Sequence, residues 1–227
     1  MIRSLLRNGF SIDTLIGLCA SAFVVFCTLP IHEYAHALVA TKLGDDTPRL
    51  SGRLTLNPLA HIDIMGAVMI LLVGFGYAKA VPVNPRNFKN PKAGMALTAA
   101  AGPASNLIMS VIFILLSNIS FVIYCKTNDS IVARVAFLFF FYAAMINISL
   151  AVFNLIPIPP LDGSHVIITL FGKNIPPNIL LNMQCYGYII LVVAVFVCDR
   201  LDFSPVGIVS GWLQDGIYGL MKLIFIH

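Results

Sequence analysis

The sequence predicts an all-α polytopic membrane protein, and three observations lead there. Only 11% of the 227 residues are charged, 14 basic and 10 acidic, against about 25% in a soluble domain. Apolar residues make up 59% and the mean hydropathy is +0.91; a chain this small has too much surface to be covered by so few charges. The apolar residues are also gathered into long runs, separated by polar stretches rich in proline and glycine, as membrane spans are. Disordered, collagenous and disulfide-scaffold classes are excluded by the same composition. The net charge of +4 is spread over loops, not clustered with aromatics, which argues against nucleic acid as a partner. Five cysteines with no CxxC spacing read as small buried hydrophobes.

The elements follow in order. Residues 11–41 form the first span, which continues through Pro30 into a His-Glu motif. Arg3, Arg7 and Ala20-Ser21-Ala22 resemble a signal peptide, but cleavage there would remove the helix that carries His32, so the segment is expected to be retained. Residues 42–61 are polar and turn-rich, and the near alternation from Arg49 to Leu56 suggests a short β-hairpin or extended loop. Residues 62–77 are apolar but short for a crossing and interrupted by Gly66, Gly74 and Gly76, which predicts a re-entrant segment. Further spans are expected at 94–124, 132–161 and 180–197. A weaker one is expected at 203–226, which contains Gln214, Asp215 and Lys222. The sum is about five transmembrane helices and a re-entrant segment in a single domain, 1–227.

Charge sets the expected orientation. Lys42, Arg49, Arg53, Lys79, Arg86, Lys89 and Lys92, half of all basic residues, lie in 42–92. The positive-inside rule makes that region cytoplasmic. The protein is then a multi-pass protein of the cell (inner) membrane, with the His-Glu motif near the cytoplasmic face. Arg3 and Arg7 on the outer side are a mild departure from the rule.

The motif is Ile31-His32-Glu33-Tyr34-Ala35-His36, and Glu33 is the only glutamate in the chain. Histidines four apart share one helix face, so two imidazoles can grip one metal ion. Glu33 beside them can take a proton from a water held by that ion. This is the HExxH pattern, and a carboxylate at membrane depth is a functional candidate by default. Catalytic zinc usually takes three protein ligands. No second glutamate exists to serve, and Val39 and Lys42 stand where the extended metzincin pattern needs glycine and histidine. The third ligand is therefore an aspartate or another histidine. Asp162 is the best placed, because it follows the 132–161 span and the predicted topology brings it to the side of the membrane where the first span ends. His61 and Asp63 read as parts of a solvated turn. His165, three residues after Asp162, could stand behind it, and His227 is terminal. Asn106 and Asn154 lie in apolar spans near prolines, where an amide either bonds between helices or holds a substrate backbone or the carbonyl under attack.

These residues resemble the site-2 protease family of intramembrane zinc metalloproteases, in its compact prokaryotic form without a PDZ domain. The resemblance runs through His32-Glu33-Tyr34-Ala35-His36, Asn57-Pro58-Leu59-Ala60-His61-Ile62-Asp63 and Ala78-Lys79-Ala80-Val81-Pro82-Val83-Asn84-Pro85. It continues through Ala101-Gly102-Pro103-Ala104-Ser105-Asn106 and Asn154-Leu155-Ile156-Pro157-Ile158-Pro159-Pro160-Leu161-Asp162-Gly163. It implies one Zn2+ per chain held by His32, His36 and Asp162, Glu33 as general base, and Asn154 as an aid in holding the substrate. The implied activity is hydrolysis of peptide bonds in or near transmembrane segments of other polypeptides within the lipid bilayer. Ile64-Met65 in place of Pro-Leu, and His165 where arginine is common, depart from the family pattern. A metal transporter would need more polar residues along its spans, and a scaffold without activity would have no use for Glu33.

Overall fold

The computed structural model describes residues 11–61, 63, 79–127, 130–172, 175–200, 207–209, 211–212 and 215–216. Among them there are helices and turns but no strand. Helix α1 covers Ile12–Lys42. Ser11 caps it by accepting from the Thr14 amide. Pro30 cannot donate to the helix ladder and its ring crowds the preceding turn. The backbone answers with one wide π turn, Val24–Thr28, and the helix continues through the motif. Gly44, at φ +107°, ends it in a conformation that a side chain would strain.

Two single-turn helices follow, α2 (Thr47–Leu50) and α3 (Pro58–His61). The loop half of the hairpin-or-loop expectation is therefore what the described residues contain. Proline just inside each start presets helical φ, and this local turn chemistry outweighs the alternation from Arg49 to Leu56. The re-entrant segment expected at 62–77 lies outside the described residues except for Asp63. Its flanks are described, and they meet: the Lys79 amide donates to His61 O at 2.8 Å. The Arg53 guanidinium donates to Ala60 O and, at 3.3 Å, to Lys79 O.

Helix α4, Pro91–Lys126, begins on Asn90, whose side chain accepts from the Ala93 amide. Helix α5, Ile131–Asn154, is shorter than the apolar run 132–161 that predicted it. Pro157 and the residue before it disfavour helix, and the chain turns through 155–161. It re-enters helix at Asp162, the first residue of α6 (Asp162–Phe171). Helix α7 spans Pro177–Arg200. The expected span at 203–226 lies almost wholly outside the described residues.

Helix α4 is central: it lies along α5 and packs on α1 and α6. The apolar core sits between α1, α4 and α5, from Val24, Phe113, Ile114, Ala143, Ala144 and Ile148. Phe23 meets Phe113 and Phe139 edge to face at 5.8 and 5.4 Å. The helices α1, α4 and α5 are long and apolar enough to cross a membrane, yet only 28% of the most apolar stretch of each is buried in protein. Large side chains such as Ile108, Ile119, Val132 and Ile189 point outward. Such an outside suits hydrocarbon, not water. The cysteines correct the expectation of burial: Cys19, Cys27, Cys125 and Cys185 are exposed and free. Where the surroundings are lipid, an outward thiol needs no core to hide in.

Candidate metal centre

His32 and His36 sit one turn apart on the last stretch of α1, both buried, with Glu33 buried between them in sequence. Their Nε2 atoms approach to 3.0 Å. Asp162 Oδ2 lies 3.3 Å from each. The triangle of donor atoms is therefore 3.0, 3.3 and 3.3 Å on its sides. Ligands about 2.0–2.1 Å from a tetrahedral zinc stand roughly 3.3 Å apart, so this set fits that ion as one face of its tetrahedron. The chemistry of the donors fits as well: two imidazole nitrogens and one carboxylate oxygen, the last buried and without a hydrogen bond. Two ring nitrogens facing a carboxylate oxygen that none of them hydrogen-bonds is an arrangement a shared cation completes.

Each element contributes by a local cause. The turn at 155–161 swings the chain back so that Asp162 opens α6, where its charge also suits a helix N-terminus. Gly163 permits that turn: a Cβ there would strike the Leu155 and Ile156 carbonyls. Helix α4 supplies the back wall. A Cβ on Gly102 would overlap His36 Nε2 and the Cε1 atoms of both histidines, so only glycine lets the rings lie against this helix. One turn earlier, Thr98 O accepts from His36 Nδ1–H at 2.7 Å, which leaves Nε2 unprotonated for a metal. One turn later, the Asn106 amide lies 3.1 Å from His32 Nδ1.

The sequence-derived candidates separate here. His32, Glu33, His36 and Asp162 come together, and Asn106 joins them against His32. Asn154 ends α5, half-buried, with its amide donating to Leu150 O at 3.0 Å. His165 faces outward, so it does not stand behind Asp162. His61 corrects the expectation of a solvated turn. It is fully buried, its Nε2–H donates to Thr55 O at 2.7 Å, and its backbone joins the 61–79 contact. His227 lies outside the described residues. The sequence reading missed Gly102 and the Thr98 carbonyl. Glycine beside proline inside an apolar span, Gly102-Pro103, was the available signal for the first. The second is a backbone atom and had none.

Comparison with known proteins then settles the lineage. A protein of Bacillus subtilis (strain 168), named "Putative zinc metalloprotease YwhC", is 40% identical over 201 residues, 85% of each chain. The chain belongs to peptidase family M50. The model of that family matches residues 116–195, which include Asn154 and Asp162. The proteins named "Putative zinc metalloprotease Rip2" of Mycolicibacterium smegmatis and Mycobacterium tuberculosis are 30% identical over 141 residues. That is 60% of this chain and 51% of theirs. No solved structure matches.

Proposed function

We propose that this M50 peptidase cuts peptide bonds within or near the transmembrane segments of other polypeptides, with one zinc ion held by His32, His36 and Asp162. The observation that carries the proposal is the triangle of Nε2, Nε2 and Oδ2 atoms at 3.0–3.3 Å, set against helices whose outer faces are apolar. The names of the relatives support the choice of zinc. His32, His36 and Asp162 would hold the ion, which would supply Lewis-acid chemistry to the attacking water and the scissile carbonyl.

The residues of the chain do the rest. Glu33, next in sequence to a ligand and buried, takes the proton of the attacking water and returns it to the leaving amine. His36 is kept in the tautomer that presents Nε2 by the carbonyl of Thr98. Asn154, at the end of α5 and beside the turn that delivers Asp162, holds the substrate backbone. A helical substrate must unwind first, since its carbonyls are engaged in i→i−4 bonds. Water and the freed products exchange on the cytoplasmic side, a reading that the basic 42–92 region supports through the positive-inside rule.

The test is Glu33→Gln in the purified protein. It is expected to retain zinc at wild-type stoichiometry and to lose cleavage of a transmembrane reporter by at least the factor of about 100 that general acid–base groups supply. Cleavage at the wild-type rate by this variant would remove Glu33 from the mechanism.

A further inference from the structure

Helix α4 meets the two histidines along one stripe, Thr98, Gly102 and Asn106, spaced four residues apart and so on a single face. The middle position has no side chain and seats the rings. The first supplies a carbonyl to His36 Nδ1. The third is Asn106, 1% exposed, with its amide nitrogen 3.1 Å from His32 Nδ1 and its Oδ1 buried with no hydrogen bond.

That arrangement conflicts with the chemistry of His32. Its Nε2 faces His36 Nε2 and Asp162 Oδ2, so it is the atom offered to the metal and carries no proton. A neutral imidazole then bears its proton on Nδ1, which must donate. An amide NH2 cannot accept. The oxygen and nitrogen of an asparagine amide exchange places by a half-turn of the group, with no change of volume. The half-turn puts Oδ1 3.1 Å from Nδ1–H, and the NH2 takes the place where the oxygen has no partner among the described residues.

We propose that Asn106 is a positioning residue of the metal centre: its Oδ1 accepts His32 Nδ1–H and holds the ring with Nε2 bare toward the ion. The two histidines are then locked in matching tautomers from one helix, His36 by a backbone oxygen and His32 by a side-chain oxygen. The inference rests on the zinc reading above. It gives Asn106 a role separate from holding substrate.

The experiment measures zinc affinity by chelator competition on purified wild type, Asn106→Leu, Asn106→Ala, Asn106→Asp and His32→Ala, each checked for folding by its melting profile. The d–d spectrum of the cobalt-loaded forms and the KM for a transmembrane reporter at saturating zinc are recorded alongside. Removing an oxygen that orients a ligand costs about 10–100-fold in metal affinity, so that loss is expected for Asn106→Leu and Asn106→Ala, with an altered cobalt spectrum and an unchanged KM. Asn106→Asp keeps an oxygen at the position and is expected to restore affinity. Wild-type zinc affinity in Asn106→Leu or Asn106→Ala, with His32→Ala unable to bind, would overturn the role of Asn106 and leave the zinc reading standing. A raised KM with unchanged affinity would overturn it in favour of substrate contact. Equal binding by wild type and His32→Ala would instead bring down the zinc reading, and the proposal with it.

Discussion

At the residue scale the site is defined as much by a missing side chain as by its ligands. Gly102 is the point where α4 touches both imidazoles, and a methyl group there has no free space. Gly102→Ala is expected to abolish stoichiometric zinc binding while leaving every donor atom in the chain, since the rings must move by more than the tolerance of a tetrahedral site, about 0.2 Å. Metal analysis of the purified variant checks this; full zinc occupancy would show that α4 can retreat. Sequence alone made the proposed ligands and base legible because their chemistry is written in residue type and spacing: two histidines four apart, one glutamate, and an aspartate after a proline-broken span. It could not make Thr98 legible, since the acting group is a carbonyl. Nor could it place His61, which is buried and hydrogen-bonded through its ring to Thr55 O and through its carbonyl to the Lys79 amide.

At the element scale the polar segments between the spans are held by side chains the sequence reading did not single out. Asp45 is fully buried. It accepts from the Thr47 amide and hydroxyl, the Asn84 amide at 2.7 Å and Asn87 Nδ2 at 2.7 Å, joining the end of α1 to the turn that precedes α4. Burial pushes its carboxyl up, but the hydrogen bonds from Thr47, Asn84 and Asn87 together outweigh that and hold it below the usual carboxylate range. Because the folded pKa lies below the unfolded one of about 3.9, the stabilisation is present above that value and is lost as pH falls through the folded pKa. Asp45→Ala leaves those donors unmatched, a cost of about 1–3 kcal/mol. It is expected to lower the melting temperature in detergent at neutral pH, by a margin that shrinks as the pH is lowered below 4. A margin independent of pH would mean that the charge does not matter. The hairpin alternative for 42–61 lost to these contacts and to Pro48 and Pro58, which favour single helical turns.

At the scale of the whole molecule, α4 runs antiparallel to both α1 and α5, and the two ends of the bundle are put to different uses. One end carries the triangle of His32, His36 and Asp162 and the basic segments. At the other, Arg134 at the start of α5 faces Asp13 at the start of α1 at 3.5 Å. Composition made the apolar spans legible, because hydrocarbon acts on long stretches rather than on single atoms; the orientation rests on the positive-inside rule alone. With the native cysteines replaced by serine, Lys89→Cys is expected to react with an impermeant thiol reagent only from the cytoplasmic side and Lys126→Cys only from the opposite side; both positions are exposed. Labelling of both from one side would refute the orientation.

The π turn at Val24–Thr28 sets a phase. One additional residue in a helix rotates everything beyond it by about 100°, and the histidines lie just beyond it, at positions 32 and 36. The wide turn therefore works like a vernier. It lets the first part of α1 present one face to α5 and the second part present another to α4 and Asp162, so that the register for packing and the register for chemistry are set separately along one helix.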